Sequence, residues 1–169
     1  MSFNSFYAVV LSASATLMGL LFFAVLFNAD RRGHRLGASW LSVARSTLNV
    51  YIVLVLLPLV LLFPDFDERL RYTIILAIIF FSITRQFIWW RLSRKTDSAT
   101  TGVAPRLIWL FLGPVTAFGL IGYSALGFLL WRVPFHGSRV SVVVLTLFVI
   151  ALRNSWNLVL QHAGLTGEN

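Results

Sequence analysis

The sequence predicts an all-α integral membrane protein, folded as a bundle of five transmembrane helices that forms one membrane domain over residues 1–169. Three observations support this fold class. Hydrophobic residues make up 58% of the chain, and charged residues make up 12%, which is about half the charged fraction of a soluble domain. The apolar residues occur in long runs instead of alternating with polar ones. There are five such runs, each with roughly the 20 residues needed to cross a hydrocarbon core.

The five predicted spans are helices because a lipid core contains no water to satisfy backbone N–H and C=O groups. Strands of a membrane barrel show about ten residues of alternating polarity, a pattern that these runs lack. The predicted spans are 6–28, 41–63, 72–91, 107–131 and 140–161.

The first span is predicted to be a mature helix, although the run "SASA" at 12–15 is similar to a signal-peptide cleavage site. The preceding residues, "MSFNSFYAVV", contain no basic residue, whereas a signal peptide begins with a positively charged region. The apolar stretch also continues past this run to "ADRRGHR", which is typical of a stop-transfer flank. One face of the helix carries small side chains that favour helix packing, namely Ser12, Ala15, Thr16 and Gly19.

The second and third spans each carry a polar stripe. The second has Ser42, Arg45, Ser46 and Asn49 at spacings i, i+3, i+4 and i+7, which place them on one helix face. The third contributes Ser82, Arg85 and Gln86. Both stripes lie in the half of the span that the charge pattern assigns to the cytoplasmic side.

The segment "PDFDERLR" at 64–71 precedes the third span. We expect Asp65 or Asp67 to cap that helix, since a carboxylate at a helix N-terminus accepts backbone hydrogen bonds and favours the dipole. A calcium site is the alternative, but the segment is too short to supply six or more oxygen ligands alone.

The fourth span carries a stripe of small residues, Gly113, Ala117, Ser124 and Gly127, within about 80° of one another. Such a stripe allows close helix approach, within one chain or between copies. The segment "GYSALG" at 122–127 resembles the serine site of an intramembrane protease. A nucleophilic serine needs a base within hydrogen-bond reach, and no histidine or lysine lies within a predicted span to act as that base, so we interpret Ser124 as a packing residue.

The fifth span contains "RNSWN", with Arg153, Asn154, Asn157 and Gln161 sharing one face about 100° wide. Arginine inside a span is costly, and the interior of the predicted spans contains no acidic residue. Asp30, at the end of the first helix, cannot neutralise three arginines. The two asparagines beside Arg153 predict that this arginine lies in a buried polar network.

Three helices therefore carry arginine and amide side chains at similar predicted depth, which defines the candidate site: Arg45, Asn49, Arg85, Arg153, Asn154 and Asn157. Two interpretations remain open. The arginines reach the headgroups along their helices, with the asparagines as interhelical hydrogen-bond donors and acceptors. Alternatively, the guanidinium groups form an inner-leaflet site for phosphate or carboxylate, which arginine binds bidentately.

Orientation follows from the basic residues, which are concentrated in the connections on the cytoplasmic side of a multi-pass protein. The first and third connections are predicted to be cytoplasmic, with the N-terminus outside and the C-terminus inside. The basic residues of these two connections are Arg31, Arg32, Arg35, Arg91, Arg94, Lys95 and Arg106.

Several functional classes are disfavoured by composition. The chain has no cysteine, so thiol catalysis and cysteine-ligated metals are excluded, and the three histidines form no metal-binding or haem-ligating pair. No segment outside the spans is long enough for a nucleic-acid-binding domain, and we interpret the net charge of +8 as attraction to anionic lipid. We therefore predict no enzyme activity, no metal and no cofactor.

The segments "SASATLMGLLFFAVLFN" and "LRNSWNLVL" resemble the terminal spans of small bacterial integral membrane proteins without an assigned activity. The resemblance covers about a fifth of the chain, and it implies location in the bacterial inner membrane. It assigns no function to any residue.

The sequence thus predicts a non-enzymatic accessory or structural membrane protein that binds anionic lipid or a membrane-complex partner through the arginine and asparagine side chains. The alternative is a homo-oligomeric anion channel or small transporter, in which rings of arginine select anions. It requires several copies, because five helices rarely enclose a pore. An inverted repeat, typical of transporters, is not evident in the sequence.

Overall fold

The computed structural model describes residues 3–31, 38–96, 104–131 and 137–162, and this part of the chain contains no β-strand. All five helices are long and apolar enough to cross a membrane, judged by length and composition. The predicted all-helical class and the prediction of five long apolar helices are therefore confirmed for the described residues. The helices are α1 (Phe3–Arg31), α2 (Ala38–Leu62), α3 (Glu68–Thr96), α4 (Ala104–Trp131) and α5 (Gly137–His162).

The helices extend past most of the predicted spans. The third begins at Glu68 and ends at Thr96, whereas its predicted span is 72–91. Hydropathy identifies only the apolar part of a helix, whereas the polar residues at either end continue the same backbone hydrogen-bond pattern. Helices α2 and α4 also run without interruption through Pro58 and Pro114.

The start of α3 is fixed by backbone and arginine contacts. The carbonyl of Asp67 accepts a hydrogen bond from the Arg71 backbone N–H at 2.9 Å, which places Asp67 at the N-cap position. The Arg71 guanidinium donates to the carbonyls of Phe63 (3.0 Å) and Phe66 (3.4 Å) and so ties the α2–α3 connection to the helix. Among the described residues, no group of three or more acidic or histidine side chains could hold a metal ion.

Helix α2 is the central helix of the bundle. It packs against α1, α3 and α5, and makes a smaller contact with α4. Of its apolar span, 56% is buried inside the bundle, against 17% for α1. Its fully buried side chains form the middle of the core, which consists of Val50, Tyr51, Val53, Leu54 and Leu57 together with residues of the surrounding helices.

The other helices surround α2 in a fixed order. Helix α3 packs on α4, α4 packs on α5, and α5 makes a small contact with α1. Within the described residues, α1 and α3 do not contact each other, and neither do α3 and α5. The Tyr7 hydroxyl accepts a hydrogen bond from Ser141 at 3.3 Å, which links α1 to α5.

The small-residue stripe of α4 lies partly within the bundle. Ala117 and Gly127 are buried, and Gly113 and Ser124 are half-buried. A Cβ built on Gly113 would lie 3.1 Å from Ile150 Cδ1, so α5 approaches α4 closely at this point. Gly127 has no such neighbour within 4 Å. The stripe therefore allows a close helix contact at Gly113 and not along its whole length.

The small-residue face of α1 is not used for packing within one chain. Ser12, Ala15 and Thr16 are exposed, and a Cβ on Gly19 would meet no atom within 4 Å. The opposite face of the helix, which includes Tyr7, Val10 and Ser14, is buried. The attachment of α1 thus depends on its larger side chains.

Candidate functional site: a polar seam and exposed arginines

Four polar residues meet between α2 and α3, and we call this group the polar seam: Ser46, Asn49, Ser82 and Gln86. The Asn49 amide donates to the Ser82 carbonyl at 3.1 Å and to Gln86 Oε1 at 3.5 Å. The Gln86 amide donates in turn to Ser46 Oγ at 2.5 Å. All four residues are at most 4% exposed, so the network is sealed inside the bundle.

The seam follows from residue spacing on two antiparallel helices. Ser46 and Asn49 are three residues apart on α2, and Ser82 and Gln86 are four residues apart on α3, so each pair shares a helix face. An amide side chain both donates and accepts hydrogen bonds. Asn49 and Gln86 can therefore satisfy each other where the surrounding apolar side chains offer no partner.

The arginines of α2 and α3 lie outside this seam. The Arg45 guanidinium carbon is 4.3 Å from the centre of the Trp89 ring, which belongs to α3. The Arg85 guanidinium carbon is 5.6 Å from the ring of Phe81, one turn away on the same helix. The side chain of Arg45 is exposed and that of Arg85 is half-buried.

Neither Arg45 nor Arg85 makes a hydrogen bond or an ion pair with another residue in the described part of the chain. A guanidinium group stacked on a ring directs its five N–H donors outward in its own plane. The carboxylates whose side chains are described, Asp65, Asp67 and Glu68, lie near the opposite end of α2 and α3. The side chain of Asp30, near the end of α1, lies outside the described part. The arginine donors are therefore available to a ligand from outside the chain.

The α5 segment departs from the sequence-based interpretation. The side chain of Arg153 is exposed, so the prediction that this arginine lies in a buried network is wrong. Asn154 is 8% exposed, and its Nδ2 is buried without a hydrogen-bond partner. Asn157 is half-buried. Neighbouring residues point about 100° apart on a helix, and the edge of the buried face of α5 passes between Arg153 and Asn154.

The six predicted site residues do not form one cluster. Asn49 joins the polar seam, and Arg45 lies beside it on the outer surface with Arg85. Helix α5 does not contact α3, and it meets α2 on another side, where the Tyr51 hydroxyl and Ser155 Oγ are 3.0 Å apart. Tyr51 lies six residues after Arg45, which corresponds to about 120° around α2. Arg153 and the two α5 asparagines are consequently separate from the arginines of α2 and α3.

Two features of this region were not selected from the sequence. Ser46, Ser82 and Gln86 lie on the recognised polar stripes, but only the structure shows that Asn49 bonds to Ser82 and Gln86, and Gln86 to Ser46. The Tyr51–Ser155 contact was not predicted. A tyrosine in the middle of an apolar helix is itself a signal for it, because a buried tyrosine hydroxyl usually has a hydrogen-bond partner.

Comparison with known proteins adds no functional assignment. No protein-family model, no curated protein and no solved structure matches the chain. In the geometry above, neutral amides lie in a buried seam between α2 and α3, and Arg45 and Arg85 lie beside that seam with unused donors.

Proposed function

We propose that this chain is a non-enzymatic, multi-pass protein of the bacterial inner membrane that binds anionic phospholipid and serves as an accessory or structural membrane protein. Arg45 and Arg85 bind the phosphate of the lipid headgroup. The observation that carries the proposal is the state of their guanidinium groups, which stack on Trp89 and Phe81 and donate no hydrogen bond to the described residues.

Phosphate suits these groups because its oxygens accept the paired N–H donors of a guanidinium plane. Stacking on an aromatic ring restricts the arginine side chain before the ligand arrives, and less conformational entropy is then lost on binding. The face of the guanidinium contacts the ring, so its N–H edges remain open to the phosphate.

Both arginines lie close enough to the ends of their apolar spans to reach the lipid headgroup region. Arg45 lies two residues inside the apolar span Val43–Leu62, and Arg85 lies six residues before the end of Glu68–Arg91. At 1.5 Å per residue both are within about 9 Å of the end of a span. An arginine side chain can extend its charge that far towards the headgroup region.

The proposed topology places this end of the bundle in the cytoplasmic leaflet, with the N-terminus outside and the C-terminus inside. Basic residues concentrate in the α1–α2 connection and in the helix ends that flank the α3–α4 connection, as the positive-inside rule requires on the cytoplasmic side. Anionic lipids of that leaflet attract each nearby lysine or arginine by about 1 kcal/mol.

Two other roles use the same arginines. An acidic residue of a membrane partner could replace the lipid phosphate in an accessory role. An anion channel would require several copies of the chain, since Arg45 is exposed on the outside of the bundle and the polar interior is closed by hydrogen bonds among Ser46, Asn49 and Gln86.

Native mass spectrometry of the protein extracted gently from its own membrane tests the proposal. We expect phosphatidylglycerol to be retained in preference to phosphatidylcholine when both are offered in equal amounts. Equal retention of the two lipids would contradict anionic-lipid binding. A symmetric oligomer without retained lipid would support the channel, and a stoichiometric second polypeptide would support the partner role.

A further inference from the structure

The central helix α2 is exposed along a single strip. Among residues 43–62, whose side chains are described, only Arg45, Leu56 and Leu59 are exposed. Leu56 and Leu59 follow Arg45 by 11 and 14 residues, which places all three side chains within an arc of about 60° around the helix. The strip extends about 21 Å along the axis, from Arg45 to Leu59.

This strip lies between α1 and α3. In the described chain, three of the four neighbouring helix pairs around α2 are in contact: α3 with α4, α4 with α5 and α5 with α1. The fourth pair, α1 and α3, is not in contact. The Arg45–Trp89 contact places the strip on the α3 side of α2. The surface is thus a groove with α2 as its floor and α1 and α3 as its walls, which we call the α1–α3 groove.

One end of the groove is cationic, and the rest of its surface is apolar. Arg45 on the floor and Arg85 on the α3 wall supply two guanidinium groups at one end. Arg45 lies over the Trp89 ring, and Arg85, one turn before Trp89 on α3, lies over the Phe81 ring. Beyond them the groove exposes Leu56 at 36%, Leu59 at 47% and Phe81 at 60%.

We propose that the α1–α3 groove holds one anionic phospholipid, a specific location that rests on the lipid-binding function proposed above. The phosphodiester accepts hydrogen bonds from Arg45 and Arg85, and an acyl chain lies along Leu56 and Leu59. Charge complementarity selects this occupant, because two arginines that have no acidic partner among the described side chains adjoin an apolar strip of about the length of an acyl chain. The exposed Arg153 on α5 takes no part.

Retained phosphatidylglycerol, measured by native mass spectrometry on the full chain at defined lipid concentrations, provides the test. We expect Arg45→Gln or Arg85→Gln to weaken binding about fivefold. Arg153→Gln is the matched control, an exposed arginine on another helix, and should leave binding unchanged. Leu56→Trp should also weaken binding by filling the groove, whereas Leu145→Trp on the exposed surface of α5 should not.

The outcomes distinguish lipid binding in the α1–α3 groove from anionic-lipid binding in general. Equal losses for Arg153→Gln and Arg45→Gln, or unchanged binding in Leu56→Trp, would overturn the groove while preserving anionic-lipid binding. Wild-type protein without preference for phosphatidylglycerol over phosphatidylcholine would overturn the proposed function itself. If thermal unfolding shows that Leu56→Trp is not folded, Leu56→Phe replaces it in the test because phenylalanine adds less volume. Unchanged lipid binding in a folded Leu56→Phe variant would also overturn the groove.

Discussion

The polar seam between α2 and α3 and the Arg153–Asn157 segment of α5 contain the same residue types but use them differently. In the seam, Asn49 finds Ser82 and Gln86 across the helix interface. In α5, the Asn154 amide nitrogen is buried without a hydrogen-bond partner in the described part of the chain. Both regions place their arginine outside. The chemical composition of a stripe therefore does not decide whether it forms a network, since that requires a complementary stripe on the helix facing it.

The difference between amide and arginine has a simple physical origin. An amide carries donors and an acceptor, so two amides and a hydroxyl can satisfy one another without water. A guanidinium group carries five donors, a charge and no acceptor, and burying it without a carboxylate costs several kcal/mol. The exposed side chains of Arg45 and Arg153 follow from this cost.

The largest expected effect on stability comes from breaking the seam. Asn49→Ala should lower the free energy of unfolding by about 1–2 kcal/mol, because Gln86 Oε1 and the Ser82 carbonyl lose their donor. Reversible unfolding in mixed micelles measures the change. Thr84→Ala is the control on α3, since the exposed Thr84 hydroxyl donates only to the Phe80 carbonyl of its own helix. A similar loss in both variants would contradict a special role for the seam.

A smaller effect is expected where α2 meets α5. Tyr51→Phe removes the hydroxyl that pairs with Ser155 and should lower the free energy of unfolding by about 0.6 kcal/mol, the average for a hydrogen bond between membrane helices. Tyr123→Phe is the control, because Tyr123 is 69% exposed. An unchanged stability of Tyr51→Phe would mean that this contact does not stabilise the bundle.

The smallest effect, with the opposite sign, is expected at the unpaired amide. Asn154→Leu removes a buried donor that has no partner, so stability should stay the same or rise by about 0.5 kcal/mol. The same micelle unfolding experiment, run beside Asn49→Ala, compares the two asparagines directly. A loss as large as that of Asn49→Ala would show that Asn154 has an essential partner, and the contrast between the two regions would fail.

The fold class was largely predictable from the sequence, because five apolar runs determine five long helices. The polar stripes of α2 and α3 were also predictable, since their spacing alone places Ser46 and Asn49 on one face and Ser82 and Gln86 on another. Helix ends were less predictable, as the four residues Glu68 to Arg71 before the predicted third span show.

The composition of the candidate site could not be predicted in full, because it depends on how the helices are arranged around α2. A face about 100° wide on α5 includes both a buried edge and an exposed edge, and the sequence does not show that the boundary falls between Arg153 and Asn154. Nor does it show that α1 and α3 leave Arg45, Leu56 and Leu59 uncovered. Both are properties of helix rotation and order.

The central claim is that the seam stabilises the fold while Arg45 and Arg85 bind lipid. Its most direct test measures two quantities, unfolding free energy in lipid-free micelles and retained phosphatidylglycerol, in both Asn49→Ala and Arg45→Gln. We predict that Asn49→Ala loses stability and keeps its lipid, whereas Arg45→Gln keeps its stability and loses lipid. A parallel loss of both quantities in both variants would contradict the division of roles.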